Sequence, residues 1–426
     1  MKVAIIGAGI VGIACAHALA DEGHEIVLID HDGPAAGASK GNAGLLAHTE
    51  IDLIASPKML RQVPRFLLDP LGPLTIRPSY LLPLVPWLAR LVVAAWPTNF
   101  ERSAAALLSL QRLALPAWEL MAATLGVGDL IHQRGSLLLY DSETMLRHAM
   151  PHLERQRTWG IAWDLLERPQ LRHIEPALTE RIVGGAYFPD MAHVTDPYLM
   201  TNRLFEVAMA RGIRYEQRRV VAIEPGERPV LRFADSSREI SDRIVVAAGA
   251  WSKPLAAGLG DRIPLDTERG YNVSFPGVSS PLSRPVSFAG HGFVVSPLGT
   301  GLRIGGAVEL GGLALPPNHE RSRAMHTKAQ RFIRDLPDYD TGSRWMGFRP
   351  SIPDSLPVIG HARAIRQVVY AFGHGHYGLT QAAATGRLVA ALVAGRAPAI
   401  DLAPFSPQRF LTLLGAGPKR RVRQPD

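Results

Sequence analysis

Cysteine is almost absent from this chain, because Cys15 is the single one among 426 residues. One thiol excludes an internal disulfide framework, and no Cys/His spacing typical of zinc sites accompanies it, so no metal is predicted. Charged residues make up only 20% and hydrophobic residues 47%, which excludes a disordered chain and indicates a large core. No signal peptide precedes the first predicted strand, and this favours a cytoplasmic location.

A clean apolar run that could cross a bilayer is also missing. Residues 80–97 are apolar, but Pro83, Pro86 and Arg90 interrupt them, and a spanning helix takes about 20 apolar residues. A helix packed on the protein is the preferred interpretation. Peripheral contact with the cytoplasmic face of the inner membrane is the alternative.

Acidic residues are outnumbered by basic ones, and the formal net charge is +8. The arginines are scattered, and the only dense basic run, residues 419–423, lies in the tail. Nucleic-acid binding is therefore not predicted. A positive field of this kind favours carboxylate-bearing small molecules or anionic lipid.

The chain does have a glycine-rich turn between its first strand and its first helix. Gly7 permits the tight turn, Gly9 lets a pyrophosphate approach the backbone, and Gly12 allows close packing of helix and strand. The helix N-terminus attracts phosphate. The next strand ends on Asp30, where a carboxylate would accept hydrogen bonds from a ribose. The pattern predicts a dinucleotide site.

The order of the predicted elements indicates an α/β fold. The first strand–helix–strand unit, a unit at 196–216 that begins with the helix-starting pair Asp196-Pro197, a buried strand at 243–249 and a strand–helix pair at 368–394 can share one sheet. The intervening helices and antiparallel strands then form a second domain. Ligands are expected where the two meet.

Several separated motifs agree with one family. They are the turn GAGIVG, Ser39 with Asn42-Ala43-Gly44, the strand IVVAAGAWS, and the segments 347–360 and 372–387. Together they resemble the D-amino acid oxidase–like superfamily of FAD-dependent oxidoreductases. Within it, the chain is similar to the bacterial D-amino acid dehydrogenase small-subunit group and its hydroxy-D-proline dehydrogenase relatives. The resemblance covers residues 1 to about 395.

The resemblance implies a Rossmann-type FAD-binding domain built from discontinuous segments and an α+β substrate domain with a mainly antiparallel sheet. The expected ranges are 1–50, 194–260 and 345–400 for the FAD-binding domain, 51–193 and 261–344 for the substrate domain, and 401–426 for a tail. Noncovalent FAD is expected, because Cys15 is the only cysteine and Gly41 stands where some relatives attach FAD through histidine.

The resemblance also implies which residues surround the cofactor. They are Gly7, Gly9, Ile10, Val11, Gly12, Asp30, His31, Ser39, Asn42, Ala43, Gly44, Leu45, Val220, Val221, Ala248, Gly249, Trp251, Gly373, His374, Gly375, His376, Tyr377, Gly378, Leu379 and Thr380. The segment Asp354 to Gly360 is expected beside the ribityl chain. The helix that begins near Gly378 is expected to direct its N-terminus at flavin N1 and the C2 carbonyl, where its dipole would stabilise negative charge.

Arg349 is the predicted cation for a substrate carboxylate, because a guanidinium offers a planar fork of two donors. Tyr271 could add a hydroxyl, or pack in the core. His374, His376 and His48 are candidates to assist the chemistry or shape the pocket.

The expected reaction is hydride transfer from Cα of a D-amino acid, such as D-proline or hydroxy-D-proline, to flavin N5. Electrons then pass to a quinone or another acceptor. An oxidase of glycine or N-methyl amino acids, a nicotinamide-dependent dehydrogenase, and a noncatalytic flavoprotein subunit are the alternatives. A homo-oligomer or hetero-oligomer is left open.

Overall fold

A computed structural model describes residues 1–51, 53–57, 60, 63, 72–299 and 301–410. Residues 411–426 of the predicted tail, with their basic run, lie outside the described residues. The helices are α1 (Ile10–Asp21), α2 (Leu81–Ala94), α3 (Pro97–Leu125), α4 (Glu143–Thr158), α5 (Arg168–Ile174), α6 (Pro197–Ala210), α7 (Ser252–Gly258), α8 (Glu320–Ala329) and α9 (Gly378–Val393).

The first ten strands are β1 (Lys2–Ile6), β2 (Glu25–Asp30), β3 (Leu45–Leu46), β4 (Leu74–Ile76), β5 (Ile131–His132), β6 (Ser136–Tyr140), β7 (Asp164–Glu167), β8 (Gly184–Phe188), β9 (Ala192–Val194) and β10 (Arg214–Gln217). The others are β11 (Val220–Glu224), β12 (Val230–Phe233), β13 (Arg238–Ile240), β14 (Arg243–Val246), β15 (Asp266–Pro276), β16 (Val286–Phe288), β17 (Phe293–Leu298), β18 (Gly301–Leu310), β19 (Ser343–Ser351), β20 (Val358–His361) and β21 (Val368–Phe372).

The first sheet carries the glycine turn and has the order β10-β2-β1-β14-β21-β20. Its strands are parallel except β20, which runs antiparallel to β21. Alternate residues of β1 face opposite layers: Val3 and Ile5 pack in the core that includes α1 and α9, and Ala4 packs in the core that includes β11 and β12. The prediction that these separated segments share one sheet is confirmed.

Helices α1 and α9 pack closely on this sheet because α9 contains a glycine at their contact. A Cβ at Gly386 would lie 2.6 Å from the carbonyl oxygen of Ala14, which is inside van der Waals contact. The last helix therefore returns to the first one, although more than 350 residues separate them in the sequence. This contact brings the start of α9 to the same side of the molecule as the glycine turn.

The second sheet has the order β19-β15-β18-β17-β16-β6-β8-β7, with β4 beside β18. Only the pairs β6–β16 and β4–β18 are parallel, so the expected mainly antiparallel sheet is confirmed. Two small sheets, β11-β12-β13 and β3-β9-β5, complete the fold. Strand β19 spans Ser343–Ser351, so the expected domain boundary at residue 345 falls inside a strand.

A β-bulge interrupts the second sheet where β15 meets β18. The pairing register shifts between Arg269 and Tyr271, and on β18 the backbone of Gly306 has φ +153. The next residue, Ala307, has φ +49, in the left-handed region that residues with a Cβ rarely adopt. Such a strained conformation persists only where its surroundings hold it, and here it turns two carbonyl groups towards Arg349.

Helix α2 buries one face and exposes the other. Leu84, Trp87 and Leu91 are buried, whereas Leu82 is 84% exposed and Val92 53% exposed. Among the helices that the structure describes, none is by itself long and apolar enough to cross a membrane. Pro78–Ala94 and Pro97–Leu125 pass that test only as a pair bent by 88°.

We expect Gly386→Ala to destabilise the protein. An added methyl group at this helix contact must separate α9 from α1, and overpacking of this kind costs about 1–3 kcal/mol. Urea unfolding measures the loss. Gly258→Ala is the matched control, because Gly258 is also helical but a Cβ there meets nothing within 4 Å. Equal stability of the two variants would contradict the proposed packing.

Candidate functional site

One cavity of about 2370 Å³ is lined by residues of both large sheets. Single small-molecule sites usually measure about 300–1,000 Å³, so this one has room for a large ligand and a second molecule beside it. Its walls include the glycine turn after β1, the end of β2, the turn after β14, and the loop between β21 and α9. The cavity-facing parts of β15 and β19 form the opposite wall.

The glycine turn is built as the sequence pattern predicts. Gly7 has φ +114, and a Cβ there would collide with the backbone of Ala247 at the end of β14. A Cβ on Gly12 would collide with the carbonyl group of Gly7. Gly9 lines the cavity, and its own Cβ would approach the Ser39 hydroxyl to 3.2 Å. The turn therefore exposes backbone to the cavity at the N-terminus of α1, which suits a phosphate group.

Asp30 lies at the end of β2 and lines the cavity. One carboxylate oxygen accepts from the backbone N–H of Ala8 at 2.7 Å, and the other accepts from those of Asp32 and Gly33. These bonds fix the carboxylate beside the glycine turn. Because each carboxylate oxygen has more than one acceptor position, a ribose hydroxyl could still donate to it.

The loop at residues 39–44 is clamped from two sides. The Ser39 hydroxyl accepts from the N–H of Ile10 at 2.9 Å, which satisfies a free donor at the start of α1. From the second sheet, Asn272 donates to the carbonyl of Gly41 at 2.7 Å and Arg303 donates to that of Asn42 at 2.7 Å. Burial lowers the pKa of Arg303, while Asp196 opposes this shift. The two sheets thus hold this loop between them.

The start of α9 lines the cavity and has no side-chain cap. The Trp118 indole donates to the carbonyls of Leu379 at 2.9 Å and Thr380 at 3.0 Å, which fixes the first turn. The Thr380 hydroxyl accepts from the N–H of Ala47. The positive end of the helix dipole is therefore held at the cavity wall, where it can stabilise negative charge that develops on a bound ligand.

The buried histidine of this loop is held neutral. Burial lowers the pKa of His374 to about 3, and its Nε2 lies 3.0 Å from the Thr385 hydroxyl. A group with this pKa is not protonated near neutral pH, so His374 shapes the pocket rather than carrying a charge there. His48 does not line the cavity; its ring contacts the carbonyl of Leu46. The hypothesis that His48 assists catalysis therefore lacks structural support.

Strand β15 presents alternate residues to the cavity. Glu268 and Gly270 line it, whereas Tyr271 packs with the core beneath α8. The Tyr271 hydroxyl donates its only proton to Glu309 at 2.9 Å and accepts from the N–H of Asn318 at 3.0 Å. Although Tyr271 borders the cavity, the predicted donation to a substrate carboxylate is inconsistent with this geometry.

Arg349 lines the same wall from β19, is half-buried, and packs its guanidinium against Gly270. Its guanidinium donates to the bulge carbonyls of Ala307 at 2.9 Å and Gly306 at 3.3 Å. Burial lowers the pKa of Arg349, and Glu268 opposes this shift. No carboxylate within the described parts of the chain lies within 4.0 Å of the guanidinium. Arg349 is thus a fixed cation at the cavity with room for an anion.

Glu268 is a buried carboxylate of the cavity wall that the sequence did not suggest. It is 2% exposed, lies 2.7 Å from Nε2 of His376 and accepts from the hydroxyl of Ser351. Burial raises the pKa of Glu268, but His376, Ser351 and Arg349 together hold it below its ordinary value. The carboxylate is therefore ionised at neutral pH.

Most of the residues proposed for the cofactor border this cavity. Those that do are Gly7, Gly9, Ile10, Val11, Asp30, His31, Ser39, Asn42, Ala43, Leu45, Val220, Val221, Ala248, Gly249, Trp251, Gly373, His374, Gly375, His376, Gly378 and Leu379. Gly12, Gly44, Tyr377 and Thr380 lie behind this lining. Residues 354–360 are also absent from it, and the Asp354 carboxylate pairs with Arg409 at 2.8 Å. The expectation that the segment Asp354 to Gly360 lies beside the ribityl chain stays a prediction.

The neutral state of His374 predicts how stability responds to pH. Between pH 6.5 and about 3 the imidazole of His374 is protonated in the unfolded chain but not in the folded protein. Stability therefore falls as the pH falls through this window. Between pH 7 and pH 5, we expect the free energy of unfolding of His374→Asn to fall by about 2 kcal/mol less than that of the wild type. Urea unfolding at both pH values measures this, with His148→Asn, at an exposed position, as the control. Parallel losses would contradict a neutral His374.

Known proteins resemble this chain over nearly its whole length. The family model described as FAD dependent oxidoreductase (DAO) matches residues 2–392. A D-amino-acid oxidase of Bradyrhizobium diazoefficiens is 38% identical, over 96% of this chain and 99% of that protein. A D-amino acid dehydrogenase of Rhizorhabdus wittichii is 30% identical, over 96% of this chain and 100% of the relative.

Solved structures share the fold. Glycine oxidase from Geobacillus kaustophilus has a TM-score of 0.75 at 24% identity, covering 96% of this chain and 99% of that one. Iminodiacetate oxidase from Chelativorans sp. has a TM-score of 0.73 at 22% identity, covering 95% and 98%. The family match decides for FAD over a nicotinamide cofactor and confirms the predicted oxidoreductase. The chain belongs to the DAO family of FAD-dependent oxidoreductases.

Proposed function

We propose that this enzyme oxidises D-amino acids at Cα, with Arg349 binding the substrate carboxylate. The observation that carries the proposal is the half-buried Arg349 guanidinium, which the bulge carbonyls orient and which has no carboxylate partner within 4.0 Å among the described residues. A planar cation in this state suits a small carboxylate. The names of the relatives from Bradyrhizobium and Rhizorhabdus support D-amino acids as the class.

The residues present fit FAD. Gly7 and Gly12 are positions where a Cβ would collide with backbone, so the turn can bring N–H groups to a pyrophosphate. Asp30 and the uncapped start of α9 both line the cavity; Asp30 would hold the ribose, and the start of α9 would face the isoalloxazine ring. FAD, when bound, supplies the acceptor for the hydride that leaves Cα.

The protein's own part in the reaction is to place and orient the substrate. Arg349 fixes the carboxylate, because its guanidinium is itself held by two carbonyl groups. His374, which lines the same cavity, stays neutral and adds no positive charge that would compete with Arg349 for the carboxylate. Apolar side chains of the cavity wall, among them Leu45 and Phe348, limit the access of water.

Among D-amino acids we favour a cyclic one such as D-proline, on the strength of the resemblance to hydroxy-D-proline dehydrogenases. A secondary ring amine would yield a cyclic imine, whereas a primary amine would yield an imine that hydrolyses to a 2-oxo acid. Noncovalent FAD is part of this proposal, because Cys15 is buried within α1 and does not line the cavity.

We propose a quinone as the electron acceptor and an anionic bilayer as the surface from which it arrives. Trp87, Leu88 and Leu91 of α2 line the cavity, while Leu82 on the same helix is exposed. Residues 72–100 contain no acidic residue, and the chain carries a net charge of +8. An exposed apolar helix face on a protein of net positive charge suits the interface of an anionic membrane.

Anaerobic reduction of the bound flavin tests the proposed reaction. We expect D-proline or another D-amino acid to bleach the visible flavin absorbance, and the L-enantiomers to leave it unchanged. Glycine and its N-methyl derivative, included in the same panel, test the alternative substrates. A flavin that stays oxidised with every D-amino acid would refute the proposed function.

Arg349→Ala should raise the half-saturating substrate concentration about 10- to 100-fold, because hydrogen bonds to a charged group contribute about 1.5–3 kcal/mol. Arg331→Ala removes an exposed arginine that also lines the cavity and should leave this concentration unchanged. A retained flavin spectrum shows that each variant is folded. Unchanged half-saturation in Arg349→Ala would exclude Arg349 from the carboxylate site.

Vesicle flotation tests the membrane surface. We expect the wild type to bind vesicles that contain phosphatidylglycerol, and a variant with Leu82→Glu and Val85→Glu to lose most of this binding, because two charges enter the exposed apolar face of α2 outside the cavity. Leu165→Glu, on an exposed leucine of β7, is the control. Equal binding by all three proteins, or none by the wild type, would contradict the proposal.

A further inference from the structure

We propose that Glu268 contacts the ammonium group of the substrate, so that this cavity wall recognises both charges of an amino acid. The inference rests on the proposed function of the site, and it adds a specificity-determining residue to it. A zwitterionic amino acid carries its carboxylate and its ammonium on the same carbon. A matching site therefore needs a cation and an anion side by side.

Glu268 and Arg349 have this arrangement. They are directly paired across β15 and β19, so their side chains leave the sheet on the same face, and both line the cavity. Cβ atoms of directly opposed residues lie about 4.5–5.5 Å apart. The two charged groups nevertheless form no ion pair within 4.0 Å in the described structure. The two charged side chains are therefore neighbours on the cavity wall but do not form a direct ion pair.

Separate partners hold the two charges apart. The guanidinium uses two of its five N–H donors on the carbonyls of Gly306 and Ala307. The carboxylate takes one bond from Ser351 and one contact with His376, out of about four acceptor positions. Both groups keep free hydrogen-bonding capacity for a ligand. A buried anion and a half-buried cation that keep such capacity on one cavity wall are suited to a zwitterion.

His376 and Ser351 are positioning residues in this arrangement. His376 has a 38% exposed side chain and contacts one oxygen of Glu268, and Ser351 donates to the other. His376 also precedes the start of α9 by two residues, so its contact with Glu268 ties the cofactor side of the cavity to the substrate side. Loss of this contact would let the carboxylate turn away from the site.

The consequence is selectivity for amines over other carboxylic acids. A 2-hydroxy acid presents the same carboxylate to Arg349 but brings no positive charge to Glu268. A monocarboxylate without an amino group lacks this contact altogether and places an anion near a buried carboxylate. Glu268 should therefore favour amino acids and disfavour both analogues.

The test compares a substrate with its deaminated analogue. Glu268→Gln keeps the size and shape of the side chain but removes its charge. We expect it to lower kcat/KM for the D-amino acid that bleaches the flavin best, for example D-alanine, about 10- to 100-fold. The Kd of the matching acid, propionate for D-alanine, is measured from the perturbation of the flavin absorbance. This Kd should stay within about threefold or become tighter.

Two further variants make the result specific. His376→Asn should also lower kcat/KM for the D-amino acid, but less than Glu268→Gln does. It provides a second test if Glu268→Gln does not retain flavin. Glu175→Gln removes another buried carboxylate, bonded to Ser283 outside the cavity, and should change neither value.

If Glu268→Gln lowered kcat/KM for the D-amino acid and the affinity for the monocarboxylate by the same factor, Glu268 would act through Arg349. This result would overturn the inference. So would an unchanged kcat/KM. A wild type that no D-amino acid reduces would instead count against the proposed function, so the two failures are distinguishable.

Discussion

The close approach of backbone to backbone around the first turn is the constraint on which the cavity depends. Gly7 leaves no room for a Cβ against Ala247, and Gly12 leaves none against Gly7. Gly386 does the same where α9 crosses α1. These contacts let β1, β14 and two helices converge at one edge of the parallel sheet. Without them the N-termini of α1 and α9 could not both face the cavity.

The opposite wall depends on a different device. The pleat of β15 and β19 separates two sets of polar groups. Glu268 and Arg349 face the cavity, whereas the hydroxyl of Tyr271, a residue that also borders the cavity, joins Arg269 and Glu309 in a buried network. The bulge at Ala307 then supplies carbonyl groups that orient Arg349. The cofactor side is therefore made of backbone, and the substrate side of fixed opposite charges.

Local patterns predicted much of this fold. The pair Asp196-Pro197 predicted a helix start, and the Asp196 carboxylate does accept from the backbone of Tyr198 and Leu199 at the start of α6. The glycine turn and the shared parallel sheet followed from spacing that has a steric cause. The surroundings of Tyr271, His48 and the segment Asp354 to Gly360 could not be predicted, because a residue type alone does not tell which way the side chain faces or which partner its polar atoms bond.

By itself, the sequence determined the nucleotide turn, the strand–helix units of the first sheet, and Arg349 as a candidate cation, because these depend on glycine sterics and on chemistry readable at single positions. The tertiary structure alone decided that Glu268 shares the wall with Arg349, that His374 is neutral, and that α2 lines the cavity while exposing an apolar face. Burial, strand register and the pairing of distant polar atoms arise only when separated segments pack together, and no local pattern encodes them.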